Sequence, residues 1–475
     1  MKLFRRPAAP APLGYIDSRS DGFVCGWACD RSRPNDRLEI ELFAAGAMFG
    51  RVRANLPRPD LAAAGFGDGC CGFSFALPEG FENDVVAARV AGGDYWLIDN
   101  AGQQGALLNS PRHGLPKLSP ALSLKAVDET DIVIAGELQS AWRAHCLADR
   151  ASGGQSTMWG RIVETFHARL LSLLAGDDAR ALAAYLVDLQ KSPESWGLAQ
   201  GDQAWRDFLA AAPSGRRAAV APFHDMLVSL AQYLGLARGE CAEQNYAGEL
   251  LAIATDEIVA RLETHLRWPI APPTVFDGLY GLSIGDRVLH GRDIQALYAA
   301  LRSFEASDRP APAICEIGGG FGKAAHYAML LGAARYVIVD LPSVAAMQYF
   351  YLRRVLPDTP VRFAKPDEIG DGVSLVFAQT IDDSTRIDAD IVVNCDSFPE
   401  MGDTICNSYF SRIGKWAPLL LSINQEGARP GVRDEKQSVV GSLLPQHGFR
   451  RLYRFRSWVR RGFIEEVWRA PDAAQ

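Results

Sequence analysis

The string Glu316-Ile317-Gly318-Gly319-Gly320-Phe321-Gly322 constrains the fold more than any other feature of the sequence. It follows the apolar run Ile314-Cys315-Glu316-Ile317 and precedes a helical pattern that begins near Lys323, so a strand passes into a helix through backbone almost bare of side chains. Glycines at such a turn let the chain bend tightly and approach a ligand closely. The next strand, Tyr336-Val337-Ile338-Val339, ends in Asp340, one strand-helix-strand unit beyond the loop. Apolar runs at 391–394 and 419–423 alternate with further helical stretches. That alternation predicts a Rossmann-like α/β domain with a parallel sheet covered by helices.

The residues of the loop separate two nucleoside cofactors. A dinucleotide site wants G-x-G-x-x-G, whereas Gly318, Gly320 and Gly322 read G-x-G-x-G, with Lys323 where the third glycine would fall. Glu316, two positions before the first glycine, suits a cationic ligand such as the amino group of a methionine moiety better than a pyrophosphate. S-adenosylmethionine is therefore favoured over NAD, and Asp340 is placed to accept both ribose hydroxyls. The candidate cofactor-binding set is Glu316, Gly318, Gly319, Gly320, Phe321, Gly322, Asp340, Leu341, Asn394 and Ser397.

Ligands of doubly wound sheets sit outside the carboxyl ends of the strands. Two later strand ends are rich in polar groups: Asn394-Cys395-Asp396-Ser397-Phe398-Pro399-Glu400-Met401 and Ser422-Ile423-Asn424-Gln425-Glu426. An alcohol is a poor nucleophile until a base or metal takes its proton. Asp396 is the first candidate for that base, then Glu400 and Glu426, with Asn424 orienting the acceptor; the alternative for Asp396 or Glu400 is a cap on the following helix. A Mg²⁺ held by Asp396, Asn424 and Glu426 is the competing mechanism; the metal-free base is favoured, because magnesium demands converging, near-octahedral oxygens.

Upstream of this domain the periodicity changes twice. Leu38, Ile40 and Leu42 alternate with Glu39 and Glu41, and Phe73, Phe75 and Leu77 repeat the pattern, with turn clusters at 33–36 and 66–69. This predicts a small β-sandwich over 13–108, closed by a Pro/Ser/Gly-rich linker at about 109–120. Helical stripes follow at Phe166, Leu170 and Leu174, at Leu227, Leu230 and Leu234, at Ile258, Leu262 and Leu266, and at Ile294, Leu297, Tyr298 and Leu301. They predict an α-helical domain over 125–305 for the acceptor or for oligomerisation, interrupted by Pro269, Pro272 and Pro273 and by a loop at 276–281, and leave 306–475 to the α/β domain.

The strings EIGGGFG, YVIVDLP, VVNCDSFPEM and LSINQE, in this order, resemble a bacterial sugar O-methyltransferase family within the class I S-adenosylmethionine-dependent methyltransferases. The resemblance covers about 280–470 strongly and the helical region weakly. It implies a seven-stranded sheet ending in an antiparallel hairpin, supplied here by 448–453 and 463–468, while the third strand is ambiguous between 361–363 and 373–377 and the adenine contacts are not placed. It also implies a sugar or glycan acceptor, nucleotide- or lipid-linked forms included, on a bacterial surface or flagellar glycan. Gly26-Trp27-Ala28 and the stretch from Arg58-Pro59-Asp60-Leu61 to Gly72-Phe73 resemble β-sandwich modules appended to glycan-modifying enzymes.

Composition limits the rest. A chain of 475 residues exceeds one ordinary core, and 48% hydrophobic residues support globular domains. A net charge of −7 argues against nucleic acid as partner. The basic N-terminus runs into Pro-Ala-Ala-Pro without an apolar core, no stretch reaches transmembrane length, and nine cysteines lack a short-framework spacing, so a cytoplasmic protein, some of it at the inner face of the membrane, is expected. Cys25, Cys29, Cys70 and Cys71 read as strand and core thiols rather than zinc ligands, and no metal ligands are assigned. His326 and His447 read as ordinary histidines, and six arginines between Arg450 and Arg461 as a solvated face, with contact to an anionic or lipid-linked glycan as the functional alternative. Two other functions compete: a methyltransferase with an amine or phenol acceptor, and an inactive glycan-binding assembly factor.

Overall fold

The computed structural model describes residues 12–20, 22–44, 47–78, 86–93, 95–99, 118–146, 157–238, 253–427 and 437–471. The basic N-terminus and most of the expected linker lie outside them. The chain divides into two compact units, one of Met1–Leu118, Ala211–Ala218 and Gly235–Ala260, the other of Ser119–Ala210, Ala219–Leu234 and Arg261–Gln475.

In the first unit, strands β1 (Leu13–Ser20), β2 (Phe23–Cys29), β5 (Gly72–Ala76) and β7 (Ile98–Asp99) form one sheet in the order β5-β2-β1-β7. Strands β3 (Glu39–Ala44), β4 (Ala47–Arg53) and β6 (Val86–Val90) form a second, ordered β4-β3-β6. Period-two alternation turns one row of each sheet inward, and Ile16, Val24 and Phe73 meet Ile40, Leu42 and Val86 in one core. Cys29 and Cys71 are buried beside Trp27 and Leu61, and burial raises both thiol pKa values.

The second unit holds the expected α/β arrangement. Strands β11 (Ala313–Ile317), β12 (Arg335–Asp340), β13 (Val361–Phe363), β14 (Gly372–Phe377), β15 (Ile391–Cys395), β16 (Leu419–Gln425), β17 (Arg450–Arg456) and β18 (Phe463–Arg469) form one sheet in the order β13-β14-β12-β11-β15-β16-β18-β17. The first six run parallel, and β18 and β17 close the edge antiparallel. Both candidates for the third strand are strands: Gly372–Phe377 pairs with β12, and the three-residue Val361–Phe363 adds an outer edge, so the sheet has eight strands rather than seven.

Strands β11 and β14 are buried at every residue, as continuous apolar runs covered on both faces should be. Helices Lys323–Leu331, Pro342–Val355 and Asp403–Ile413 follow β11, β12 and β15. Consecutive strands run outward from β11 to β12 and then return to β15 on its other side, which opens a crevice at the carboxyl ends of β11 and β15.

Helices Glu129–Cys146, Thr157–Phe166, Ala168–Ala175, Ala179–Val187 and Gly201–Ala210 also belong to this unit. Leu170, Leu174, Leu227 and Leu230 are fully buried, as their spacing predicts. The expected loop at 276–281 is partly a strand: β8 (Pro120–Leu122), β9 (Tyr280–Ile284) and β10 (Arg287–Leu289) form a three-stranded sheet inside the helical region. Strands this short carry too few alternations to read, and Gly281, whose missing side chain lets the Leu289 backbone pass closely, resembles a turn residue.

Candidate active site

The crevice contains a cavity whose walls come from the glycine loop, the ends of β12 and β15, and the start of helix Gly291–Ser307. Gly318, Gly320 and Gly322 adopt positive φ of 75°, 55° and 80°, a region that penalises any other L-residue. A side chain at Gly318 would collide with Ser397, whereas one at Gly320 would meet nothing within 4 Å. The loop therefore packs on β15 with one edge and offers open backbone with the other. Phe321 is buried with its ring 4.9 Å from that of Phe276, and Gly322 caps helix Lys323–Leu331.

Asp340 stands at the end of β12, held by three N–H donors: Gly319 N at 2.9 Å and Gln348 Nε2 at 2.7 Å to Oδ2, and Leu341 N at 2.8 Å to Oδ1. Burial pushes its pKa up to about 6 against the opposing pull of these donors. Glu316 is buried on β11 and accepts from the Tyr336 hydroxyl at 3.0 Å. Burial raises it to about 8, the Tyr336 bond opposes, and the Asp340 charge adds to the rise. Among the described residues neither carboxyl has a cationic partner, and both line the cavity.

Asn394 lies underneath rather than in the cavity. Its Nδ2 donates to the Ile317 carbonyl at 2.8 Å and to Ser397 Oγ at 2.5 Å, and its Oδ1 accepts from Asn424 Nδ2 at 2.9 Å. Asn424 is thus a buried brace between β15 and β16, where it cannot orient an acceptor. Glu426 pairs with Arg454 at 2.6 Å away from the cavity walls, and that pairing lowers its pKa. Cofactor candidates Leu341 and Ser397 do line the cavity.

The two remaining carboxylates sit side by side and differ in character. Asp396, a non-glycine residue at φ 73°, accepts at Oδ2 from Arg460 at 2.6 Å and from Arg292 at 3.0 Å. Burial works to raise its pKa, but the two guanidinium charges outweigh burial and hold the carboxylate below its usual value. Glu400, in the short helix Phe398–Met401, accepts from Trp159 Nε1 at 3.1 Å. Burial lifts it to about 7, the Asp396 charge adds to the rise, and the Trp159 bond opposes. Neither caps a following helix: Phe398–Met401 after Asp396 and Asp403–Ile413 after Glu400 both start without a side-chain cap bond.

Sequence reasoning missed Arg292 and Trp159, which come from helices distant in the chain, and Gln348, which lies on the helix directly after Asp340 but carries no motif of its own. Arg460 lay within the arginine run and was not singled out. Among the described residues no group of three or more His, Cys, Asp or Glu is placed to hold a metal ion, and no helix is long and apolar enough to cross a membrane. His326 is buried near Tyr351 with its pKa pushed down to about 3 by burial and by Lys323, and His447 pairs with Asn407 at 2.9 Å.

No protein-family model matches the sequence, and no curated protein matches it. Several solved structures are similar to part of it. Magnesium protoporphyrin IX methyltransferase from Synechocystis, with bound S-adenosylhomocysteine, is 14% identical over 37% of this chain and 83% of its own, with a TM-score of 0.29. The glycopeptide N-methyltransferase MtfA, complexed with S-adenosylhomocysteine, is 14% identical over 37% of this chain and 90% of its own, at 0.28. The CcbJ methyltransferase from Streptomyces caelestis is 14% identical over 38% of this chain and 90% of its own, at 0.27.

Proposed function

We propose that this chain is an S-adenosylmethionine-dependent O-methyltransferase that methylates a sugar hydroxyl of a bacterial surface or flagellar glycan, or of its nucleotide- or lipid-linked precursor. The observation that carries the reading is the pair Glu316 and Asp340: two carboxyls without a cationic partner among the described residues, lining a cavity beside bare glycine backbone. A dinucleotide would press its pyrophosphate against them, and Lys323, the nearest lysine to the loop, is already paired with Asp293. A ligand with a positive sulfur and an ammonium group relieves the same carboxyls. Asp340 would hold the ribose hydroxyls and Glu316 the amino group, with open space at Gly320 beside them.

When bound, the cofactor supplies a methyl group on a cationic sulfur. Glu400 would take the proton of the acceptor hydroxyl, leaving its oxygen free to accept the methyl group that the bound cofactor would supply. Glu400 fits this role better than Asp396, because a base is most effective with a pKa near the working pH. Asp396 instead steadies Arg292 and Arg460. The sugar is supported by the family resemblance and by Trp159 and Trp196, which line a groove that shares Arg292 and Glu400 with the cavity.

In this reading 306–475 binds the cofactor, 125–305 shapes the acceptor site and any oligomer contacts, and 13–108 is an accessory module. The protein acts in the cytoplasm, where glycan precursors are built. The deciding measurement is mass spectrometry of surface glycans from cells with and without the gene. The expected result is loss of one methyl from one sugar, restored by the wild type but not by Asp340→Ala; unchanged glycans, or a methyl missing from an amine or phenol, would displace the sugar.

A further inference from the structure

Arg292 and Arg460 come from elements far apart in the second unit's sequence and converge on a single oxygen, Oδ2 of Asp396. Arg292 lies in the first turn of helix Gly291–Ser307, whose amino end adds its own positive potential. Arg460 lies in the turn between β17 and β18, with its guanidinium 3.6 Å from the centre of the Phe463 ring. Both line the cavity with Glu400, and Arg292 also lines the groove with Trp159, Trp196 and Gln200. Asp396 answers one of the two guanidinium charges, and the second faces Glu400, which loses its charge when it takes up a proton. Each guanidinium has five N–H donors, and the shared Asp396 oxygen takes one from each.

Resting on the O-methyltransferase reading, the geometry points to an anionic acceptor: a sugar whose carboxylate or phosphate is held by Arg292 and Arg460 while its ring lies along Trp159 and Trp196 and a hydroxyl reaches Glu400. Planar guanidiniums match carboxylate and phosphate oxygens in pairs, and aromatic faces pack against the apolar face of a sugar ring. Asp396 keeps the two arginines apart and aimed into the cavity before the anion arrives. Proton transfer to Glu400 neutralises one of the two carboxylates beside the anion and leaves Asp396 as the one bonded to the guanidiniums. Burial holds the Arg460 pKa below its ordinary value, with Asp396 opposing that effect and Arg292 adding to it.

The test uses the full chain saturated with S-adenosylhomocysteine and measures binding of glucose, glucuronate and glucose 1-phosphate by ligand-observed NMR and calorimetry. At least one anionic sugar should bind tenfold or more tightly than glucose, and whether glucuronate or glucose 1-phosphate wins identifies carboxylate or phosphate. Arg292→Gln and Arg460→Gln should each reduce that preference to within about threefold while leaving S-adenosylhomocysteine affinity within about twofold. Equal affinity for the three probes, no binding of any of them, or a preference retained in both variants would overturn the anion clasp. Failure of S-adenosylhomocysteine to bind is a separate outcome that strikes the methyltransferase reading, and anion preference can still be measured without it.

Discussion

Gln348 ties Asp340 to the glycine loop: its Nε2 donates to Asp340 Oδ2 at 2.7 Å and to the Gly320 carbonyl at 2.9 Å. The amide is fully buried on helix Pro342–Val355, so a single side chain fixes the distance between the ribose carboxylate and the open backbone opposite it. Gln348→Leu keeps the volume and deletes both bonds. Cofactor affinity should fall about tenfold, equivalent to about 1.4 kcal/mol. Calorimetric titration with S-adenosylhomocysteine checks this, and an unchanged Kd would show that Asp340 needs no such brace.

The glycines of the loop should separate into structural and ligand-facing positions. Gly318→Ala forces a side chain into Ser397 at a positive φ, so the melting temperature should drop by several degrees, as for a loss of about 2 kcal/mol. Gly320→Ala meets no protein atom within 4 Å and carries the backbone penalty alone, about 1 kcal/mol. Its methyl group projects into space, and cofactor affinity should fall at least tenfold while the fold is kept. Similar melting and binding behaviour in the two variants would remove the distinction.

How much of this was legible in the sequence depends on how local the signal is. The loop, Asp340 and the strands β11, β12, β15 and β16 lie in runs whose own residues dictate strand, turn or helix, and the structure places them as those runs imply. The sheet β8-β9-β10 was not legible, because Pro120–Leu122 pairs with residues far along the chain and offers three residues of pattern. The polar strings after β15 and β16 identified a rich neighbourhood without its directions. Successive strand residues face opposite sides, so Asn394 and Asn424 turn into the protein while Asp396, after the strand has ended, faces the cavity. Arg292 and Trp159 join the site through tertiary packing of helices, which no spacing rule encodes, while Gln348 reaches Asp340 from eight residues on, along the very next helix.

The carboxyls of the cavity should make the cofactor-free protein sensitive to alkali. Glu316, Glu400 and Asp340 have folded pKa values of about 8, 7 and 6, above their ordinary values of 4.5, 4.5 and 3.8. Between the ordinary and folded values the folded state holds more protons than the unfolded one, so their stabilising contribution is present at low pH and is lost as pH rises toward the folded values. The melting temperature of the free protein should fall from about pH 5 to about pH 8, with Glu316→Gln flattening the upper part of the fall. S-adenosylmethionine should restore more stability at the alkaline end and should bind with proton release, read as a dependence of calorimetric heat on buffer ionisation. A flat profile in the wild type would mean that these carboxyls are already compensated.

The last prediction concerns which group takes the acceptor's proton. Glu400 and Asp396 face the same cavity, but Asp396 is bonded to two arginines and held below its usual pKa, while Glu400 sits at about 7 with one neutral donor, Trp159. A carboxylate stabilised by two guanidiniums gains little by accepting a proton, whereas Glu400 is poised to take one near neutrality. Glu400→Gln should therefore lower kcat by about 10²- to 10⁴-fold with cofactor Kd unchanged, and the wild-type kcat should rise with pH through about 7 and then level. Asp396→Asn should act differently, raising the acceptor KM more than it lowers kcat, because it releases Arg292 and Arg460 rather than removing the base. A Mg²⁺ route would require Asp396, Asn424 and Glu426 to converge; Asp396 instead holds two arginines, Asn424 holds Asn394 and Glu426 holds Arg454. Activity should therefore survive exhaustive chelation. Turnover abolished by EDTA and restored by Mg²⁺, or full activity in Glu400→Gln with loss in Asp396→Asn, would move the chemistry away from Glu400.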